Sequence, residues 1–452
     1  MGVLLGSGST KPQYPYDMWY GVQGDYSSSD YKLTRVGNLD LHKSLPIQSK
    51  IRRFVENTDG SVKYYLHQND SRLKDGGATA TLDSTDGNVM LEIPAYYQRI
   101  EFSGTKWLRA ISEYPLPGFT LVDRKTISPW FATIDQANSK AVSGCWLTWN
   151  GDAIARDTNG IVILKSNAAN FRGGSNDSSK DGAYNSMLGM GRTYMSKAGF
   201  RPYCKNGTHL GVYRPYNELA WLQRIEYASL YCQDTYNSSL DASGYHQGGL
   251  GDGTTTVDGS KWNTWGGYHP FIPCGVTATL GNNTGQVQYT VKNFGGSDFV
   301  TTVSSYRGFE VPFNYLWMLA DDVLIYYSPD SANAKTTAYV CEDPTKFTSP
   351  GDSDSNVPDG YHSVTDLPRA EGWQLKLSHS TEGYSFPIAV GAASNTGVTD
   401  YFWQAGTTAS GWFGALLSAY AILGAYAGFG YLFAYNRSST ASANLGFRLC
   451  RF

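Results

Sequence analysis

From Tyr401 to Asn436 the chain carries no Asp, Glu, Lys or Arg, and within that run small residues alternate with varied ones. Ser418-Ala419-Tyr420-Ala421-Ile422, Ala425-Tyr426-Ala427 and Phe433-Ala434-Tyr435 repeat with a period of two, the mark of extended chain with one small face and one variable face. Leu416 to Phe433 is as long as the roughly 18 to 20 residues a membrane helix needs, and Gly424 to Gly428 has the small-residue spacing of a helix-dimer motif. Against a membrane span stand Gly411, Gly414, Gly424, Gly428 and Gly430, the tyrosines in mid-run, and an N-terminal flank without a basic cluster. The pattern therefore predicts strands and loops that display aromatic side chains, with a membrane-anchored surface adhesin as the competing reading.

The rest of the composition narrows the classes. A net charge of -3 and no basic stripe interleaved with aromatics argue against nucleic acid as a partner. With 33 Tyr, 12 Trp, 50 Gly and only 17% charged residues, the chain reads as loop-rich and aromatic at its surface, unlike most enzymes. Cys145, Cys204, Cys232, Cys274, Cys341 and Cys450 are scattered without a C-x-x-C pair, so buried free thiols are expected rather than zinc ribbons or disulfides. Met1 to Gly6 lacks a basic stretch and a long apolar core, so synthesis in a bacterial cytoplasm with release by lysis is the expectation.

Along the chain, residues 1–126 read as a β-rich region of short strands. Ser61 to Leu66 is introduced by Asp59-Gly60 and Val89 to Ile93 by Asp86-Gly87, with Pro94 closing the latter. Gly/Ser/Asn-rich chain follows from Ser128 to Phe200, with a short helix expected near Tyr184 to Met190. The clearest helix is predicted from Asn217 to about Gln233. Leu219, Leu222, Ile225, Ala228 and Cys232 share one face there, and Asn217 serves as N-cap. A Pro/Asp/Ser-rich excursion loop is expected from Asp343 to Asp359.

Chemical motifs are sparse. Gly249, Gly251 and Gly253 suggest a phosphate loop, but no Lys-Ser or Lys-Thr pair and no βαβ context accompanies them, so a tight glycine loop is the better reading. Adjacent Asp321 and Asp322 would point to opposite faces of a strand, which suits capping or pairing with Arg307 rather than shared catalysis. No Gly-x-Ser-x-Gly elbow or His-x-x-x-His pair is present.

Three stretches carry family resemblances. The alternating run with its ending Ser442-Ala443-Asn444-Leu445-Gly446-Phe447-Arg448-Leu449 resembles the variable region of proteins diversified by retroelements, exemplified by phage receptor-binding proteins. Gly244 to Gly251, with Arg307-Gly308, Glu310, Pro312-Phe313 and Trp317, resembles the formylglycine-generating-enzyme-like branch of the C-type lectin fold. That pattern is broken by Asn314 and Leu319, and nothing matches the paired catalytic cysteines. Glu92 to Tyr97 and Ile111-Ser112-Glu113 are similar to segments of phage tail and tail-fibre proteins.

Together these imply an α+β protein with a β-rich tail-attachment region, 1–126, and a C-type lectin-like ligand-binding domain, 127–452, with long loops and one main helix. Its variable part would span about 401–444. The resemblance implies a phage tail-fibre protein of the virion that binds a host cell-surface protein or glycan and contacts other phage tail proteins. Fibre tips are often trimers, so a homotrimer is an open option. No catalysis, cofactor or metal is expected, and a formylglycine-generating-enzyme-like oxidase is the enzymatic alternative. The expected contact set is Tyr401, Trp403, Gln404, Trp412, Ser418, Tyr420, Ile422, Leu423, Tyr426, Phe433 and Tyr435, while Gly446, Phe447 and Arg448 belong to the scaffold.

Overall fold

The computed structural model describes residues 17–28, 30–135, 138–145, 189, 191–253, 269, 272–291, 299–328, 334–392, 397–406 and 408–452, with the backbone of a two-strand ladder at 155–156 and 162–163. The short helix expected near Tyr184 to Met190 lies outside these residues except at Gly189.

Strand formation follows the turn chemistry of the N-terminal half. Gly60 takes a left-handed φ of 86° just before the strand Val62–His67, and Val89–Ile93 begins where expected and stops before Pro94. Five strands form one sheet in the order Thr34–Gly37, Tyr20–Asp25, Lys106–Ser112, Tyr96–Ser103, Thr120–Val122. Six form another, in the order Cys450–Arg451, Lys125–Ile127, Val89–Ile93, Arg52–Glu56, Val62–His67, Asp70–Lys74. The second sheet thus takes its edge strand from the C-terminus, through Thr126 opposite Arg451 and Ile127 opposite Cys450. The division drawn between residues 126 and 127 falls inside a strand.

The C-terminal half is dominated by a curled half-barrel sheet. Its order is Tyr361–Leu367, Thr336–Cys341, Trp317–Tyr327, Gly411–Leu417, Leu432–Ala434, Tyr401–Gln404, Gly372–Leu377, Pro387–Gly391, with Leu445–Gly446 added in parallel to Trp317–Tyr327. The expected α+β fold is corrected on this point. Strand makes up 40% and helix 12% of the structure, so the protein is β-rich, and its helix serves the sheets instead of organising a lectin-like domain.

That helix runs from Tyr213 to Tyr227, earlier than the hydrophobic spacing suggested, and only Arg214 in it escapes full burial. A helix apolar or covered all round gives no amphipathic boundary to read. Its first turn is capped from a distant strand: the Asp322 carboxylate accepts from Tyr213 N and Arg214 N, both at 3.1 Å. Asn217 is no cap; its amide donates to Gly383 O at 2.9 Å. Ala228, at a left-handed φ of 49°, ends the helix.

Asp321 and Asp322 sit where the pairing of Trp317–Tyr327 with Gly411–Leu417 jumps from Ala320–Ala415 to Leu324–Gly414. The bulge re-aims the two carboxylates. Asp321 holds Arg201 at 2.5 and 2.8 Å, and Arg307 instead grips Glu226 with two bonds of 2.8 Å. The N-terminal and C-terminal halves share one core, since Arg109 lies over the Trp221 ring at 4.1 Å and donates to Gly383 O and Ser385 Oγ. Among the described residues no helix is long and apolar enough to cross a membrane. The stretch Leu416 to Phe433 contains strand, turn and a six-residue 3-10 segment, not one helix.

Candidate functional site: an aromatic surface on the half-barrel

Strand alternation sorts the uncharged run into two faces. Tyr401–Gln404 pairs in parallel with Leu432–Ala434, placing Phe402 opposite Leu432 and Trp403 opposite Phe433, while Trp373 stands opposite Tyr401. Phe402, Leu432 and Ala434 point into the core that contains Tyr216 and Phe429. Tyr401, Trp403 and Phe433 consequently occupy the other face and stay partly exposed.

Eight rings form one connected surface. Trp373 lies 5.4 Å from Tyr401 and 5.0 Å from Tyr426, ring centre to ring centre. Tyr401 contacts Tyr426 at 4.5 Å and Trp403 at 4.8 Å. Phe433 continues the path at 6.4 Å from Trp403, 5.8 Å from Tyr435 and 5.1 Å from Trp317. Tyr420 closes it at 4.3 Å from Trp317. Tilted and edge-on contacts of this kind stabilise by about 0.5 to 1.5 kcal/mol each, so the rings hold one another in place.

Between the strands, residues 418–431 form turns and a 3-10 stretch instead of a continuous strand. Ser418 and Ala419 have left-handed φ values of 76° and 69°, and Ala421–Tyr426 is a 3-10 stretch kinked at Gly424. Small side chains are nevertheless turned inward here: Ala419, Ala421 and Ala427 are buried, while Tyr420, Ile422, Leu423 and Tyr426 are partly exposed. The period of two sorts inside from outside at Ala419, Ala421 and Ala427 but not at Ala425, which is exposed, and it mistakes the backbone, because a tight turn with buried alanines imitates the pattern of a strand.

This backbone is held from below by side chains outside the run. Gln233 Nε2 donates to Ala425 O at 2.9 Å and also to Ala427 O. Gln374 Nε2 donates to Gly430 O at 2.6 Å and Tyr401 O at 3.2 Å, and Tyr216 OH reaches Gly428 O at 3.3 Å. Asn314 Nδ2 donates to Gly424 O at 3.3 Å. Asp400 accepts from Gly430 N at 2.6 Å and faces Arg224 at 3.9 Å and Cys232 Sγ at 3.8 Å. Burial pushes the Asp400 carboxyl up to about 7 against the opposing pull of Arg224 and the Gly430 amide. Gly428 is required where it stands, since a Cβ there would meet Asp400 Oδ1 at 1.8 Å.

Of the expected contact residues, Tyr401, Trp403, Tyr420, Tyr426, Phe433 and Tyr435 lie in the ring surface, with Ile422 and Leu423 in its 3-10 stretch. Three are corrected. Trp412 is 1% exposed, packed with Leu324, Cys341, Phe347 and Tyr361 where the excursion after Asp343 covers that end of the sheet. Gln404 takes the inward face of its strand, and Ser418 is a turn residue whose hydroxyl donates to Leu316 O at 2.9 Å. The two rings absent from the expected set, Trp317 and Trp373, come from strands far outside the uncharged run. Only their strand pairing brings them in, so local sequence carried no signal for them.

Chemically the surface offers ring faces, phenol hydroxyls and no formal charge of its own. Burial raises the Tyr401 and Tyr420 phenols, so they act as neutral donors. Among the described residues no cluster of His, Cys, Asp or Glu could hold a metal ion. None of the six cysteines forms a disulfide, and burial pushes Cys204 and Cys274 up to about 12, an environment opposite to that of a reactive thiolate. The glycine loop uses its amides internally, with Gly249 N and Gly251 N donating to Thr235 O and Asp234 O. No protein-family model matches the chain, and no curated protein matches it either.

Proposed function

We propose that this chain is a receptor-binding protein of a bacteriophage tail that grips a host cell-surface protein or glycan through the eight-ring surface, with its side chains varied by a retroelement. The observation that carries the reading is the contiguity of partly exposed Tyr, Trp and Phe rings on a backbone fixed from beneath. Such rings give large contact areas at low entropic cost, and hot spots of binding are rich in Tyr and Trp. Because the backbone is held by Gln233, Gln374, Asp400 and Tyr216, side chains at Tyr420, Ile422, Leu423, Tyr426, Phe433 and Tyr435 can change without altering the bed. In this reading the N-terminal strands attach to other tail proteins and the chain works in the virion.

The test is attachment of purified protein to intact bacterial cells, with thermal unfolding recorded in parallel. Replacing Tyr420, Tyr426 and Tyr435 together by Ala should remove attachment while the fold persists. Retained attachment would sink the reading. Sequencing beside the gene supplies a second test: a near-identical repeat differing only at adenines is expected, and its absence removes the retroelement from the proposal.

A further inference from the structure

A second, chemically different pocket, open to solvent, lies beside the C-terminal strand. A cavity of about 250 Å³ opens between the turns at 56–58 and 84–88, Lys140, Lys205 and Arg451. Its two carboxylates are already satisfied. Glu56, 2% exposed, accepts from Arg451 Nε at 2.8 Å and from Asn88 Nδ2 at 2.8 Å. Asp86 accepts from Lys63 Nζ at 3.0 Å and from Tyr64 OH at 2.9 Å. Lys140, which stands across a two-strand ladder from Asp135, and Lys205 make no ion pair within 4 Å among the described residues, so both bring a positive charge to the cavity wall. The hydroxyls of Thr58 and Ser84, also in the wall, make no hydrogen bond among the described residues. An oxyanion would thus find charge-assisted donors in Lys140 and Lys205, and neutral hydroxyls would find partners in Thr58 and Ser84. The volume would hold roughly eight waters and is smaller than the ~300 to 1,000 Å³ of drug-sized pockets, which suits one sugar ring.

We propose that this cavity binds a single sugar unit bearing an oxyanion, either free or at the end of a glycan, independently of the aromatic surface. Lys140 and Lys205 take the anion, and Thr58 and Ser84 take ring hydroxyls.

The experiment is calorimetric titration of the full chain with glucuronate, glucose 6-phosphate, inorganic phosphate and glucose. Both acidic sugars should bind, with glucose and phosphate about tenfold weaker or more. Raising salt should weaken binding of the acidic sugars. Lys140→Gln with Lys205→Gln should cost about tenfold in glucuronate affinity with unchanged thermal unfolding, whereas the triple tyrosine variant should bind glucuronate as before. A glucuronate-ended oligosaccharide that binds like the monosaccharide supports a glycan end, and its exclusion supports a free sugar acid. Glucose binding as well as glucuronate, phosphate binding as well as glucose 6-phosphate, an unaffected lysine variant, or no binding of any acidic sugar would each overturn the proposal.

Discussion

Residues 401–435 and residues 445–451 belong to the same stretch of chain and hold their aromatic side chains in opposite ways. Phe447 is fully buried and stacks flat on Phe200, ring centres 4.1 Å apart. Tyr435 is 55% exposed and touches Phe433 edge-on. Arg448, also buried, lies between the Phe131 and Phe309 rings and donates to Ser128 O, Glu310 O and Val311 O at 2.7 to 3.1 Å. In the closing segment the side chains are themselves the structure. In the earlier run the structure is supplied by Gln233, Gln374, Asp400 and Tyr216, which grip the backbone and leave the side chains facing out free to differ.

The largest expected effects break the buried side of this contrast. Phe447→Ala and Trp412→Ala should each destabilise by about 3 to 5 kcal/mol, read as a fall in thermal midpoint. If Trp412→Ala unfolded like the native protein and lost attachment, Trp412 would belong to the displayed surface after all. Gly428→Ala comes next, at roughly 1 to 3 kcal/mol, since the new methyl collides with Asp400 and the 3-10 stretch must shift. Native-like stability in that variant would show that the bed beneath the rings is not rigid.

A different kind of effect concerns pH. Burial raises both Asp400 and Asp322 from 3.8 to about 7 in the fold. The folded state therefore keeps protons that the unfolded chain has released, so these groups make stability fall as pH rises from about 3.8 to about 7. Asp400→Asn should flatten part of that fall, because an amide oxygen still accepts from Gly430 N and does not ionise. Unfolding profiles of equal slope for the two proteins would contradict the assignment. The smallest change in stability, about 0.5 kcal/mol, is expected for Tyr435→Ala, which loses one edge-on ring contact and whose main effect should be read in attachment to cells. A clear drop in its thermal midpoint would place Tyr435 with Phe447 rather than opposite it.

Much of the contrast was legible in sequence. The ending Gly446-Phe447-Arg448 was read as scaffold from a small residue for close packing, an apolar anchor and a forked cation. In the structure a Cβ at Gly446 would meet Phe131 at 2.7 Å, and Arg448 binds carbonyls. The small positions Ala419, Ala421, Ala427 and Ala434 of the alternating run are buried, and Phe433 stands on the other face. Trp412, expected in the contact set, is roofed by the excursion bearing Phe347 and Tyr361, residues too distant along the chain for its neighbours to announce. The main helix was recognised but displaced by four residues at its start, because its cap, Asp322, comes from a strand far along the chain.

The sequence by itself determined the turns at Asp59-Gly60 and Asp86-Gly87, which alternate side chains are small, and that the run from Tyr401 to Asn436 carries no charge, since these depend on residues close along the chain. Tertiary structure decided that the protein is β-rich, that the C-terminus completes the N-terminal sheet, and that Trp317 and Trp373 join the ring surface. It also decided which cations remain unpaired beside Arg451. The physical reason is common to all of these: strand pairing, caps and ion pairs are contacts between distant residues, and no local period records which partner arrives.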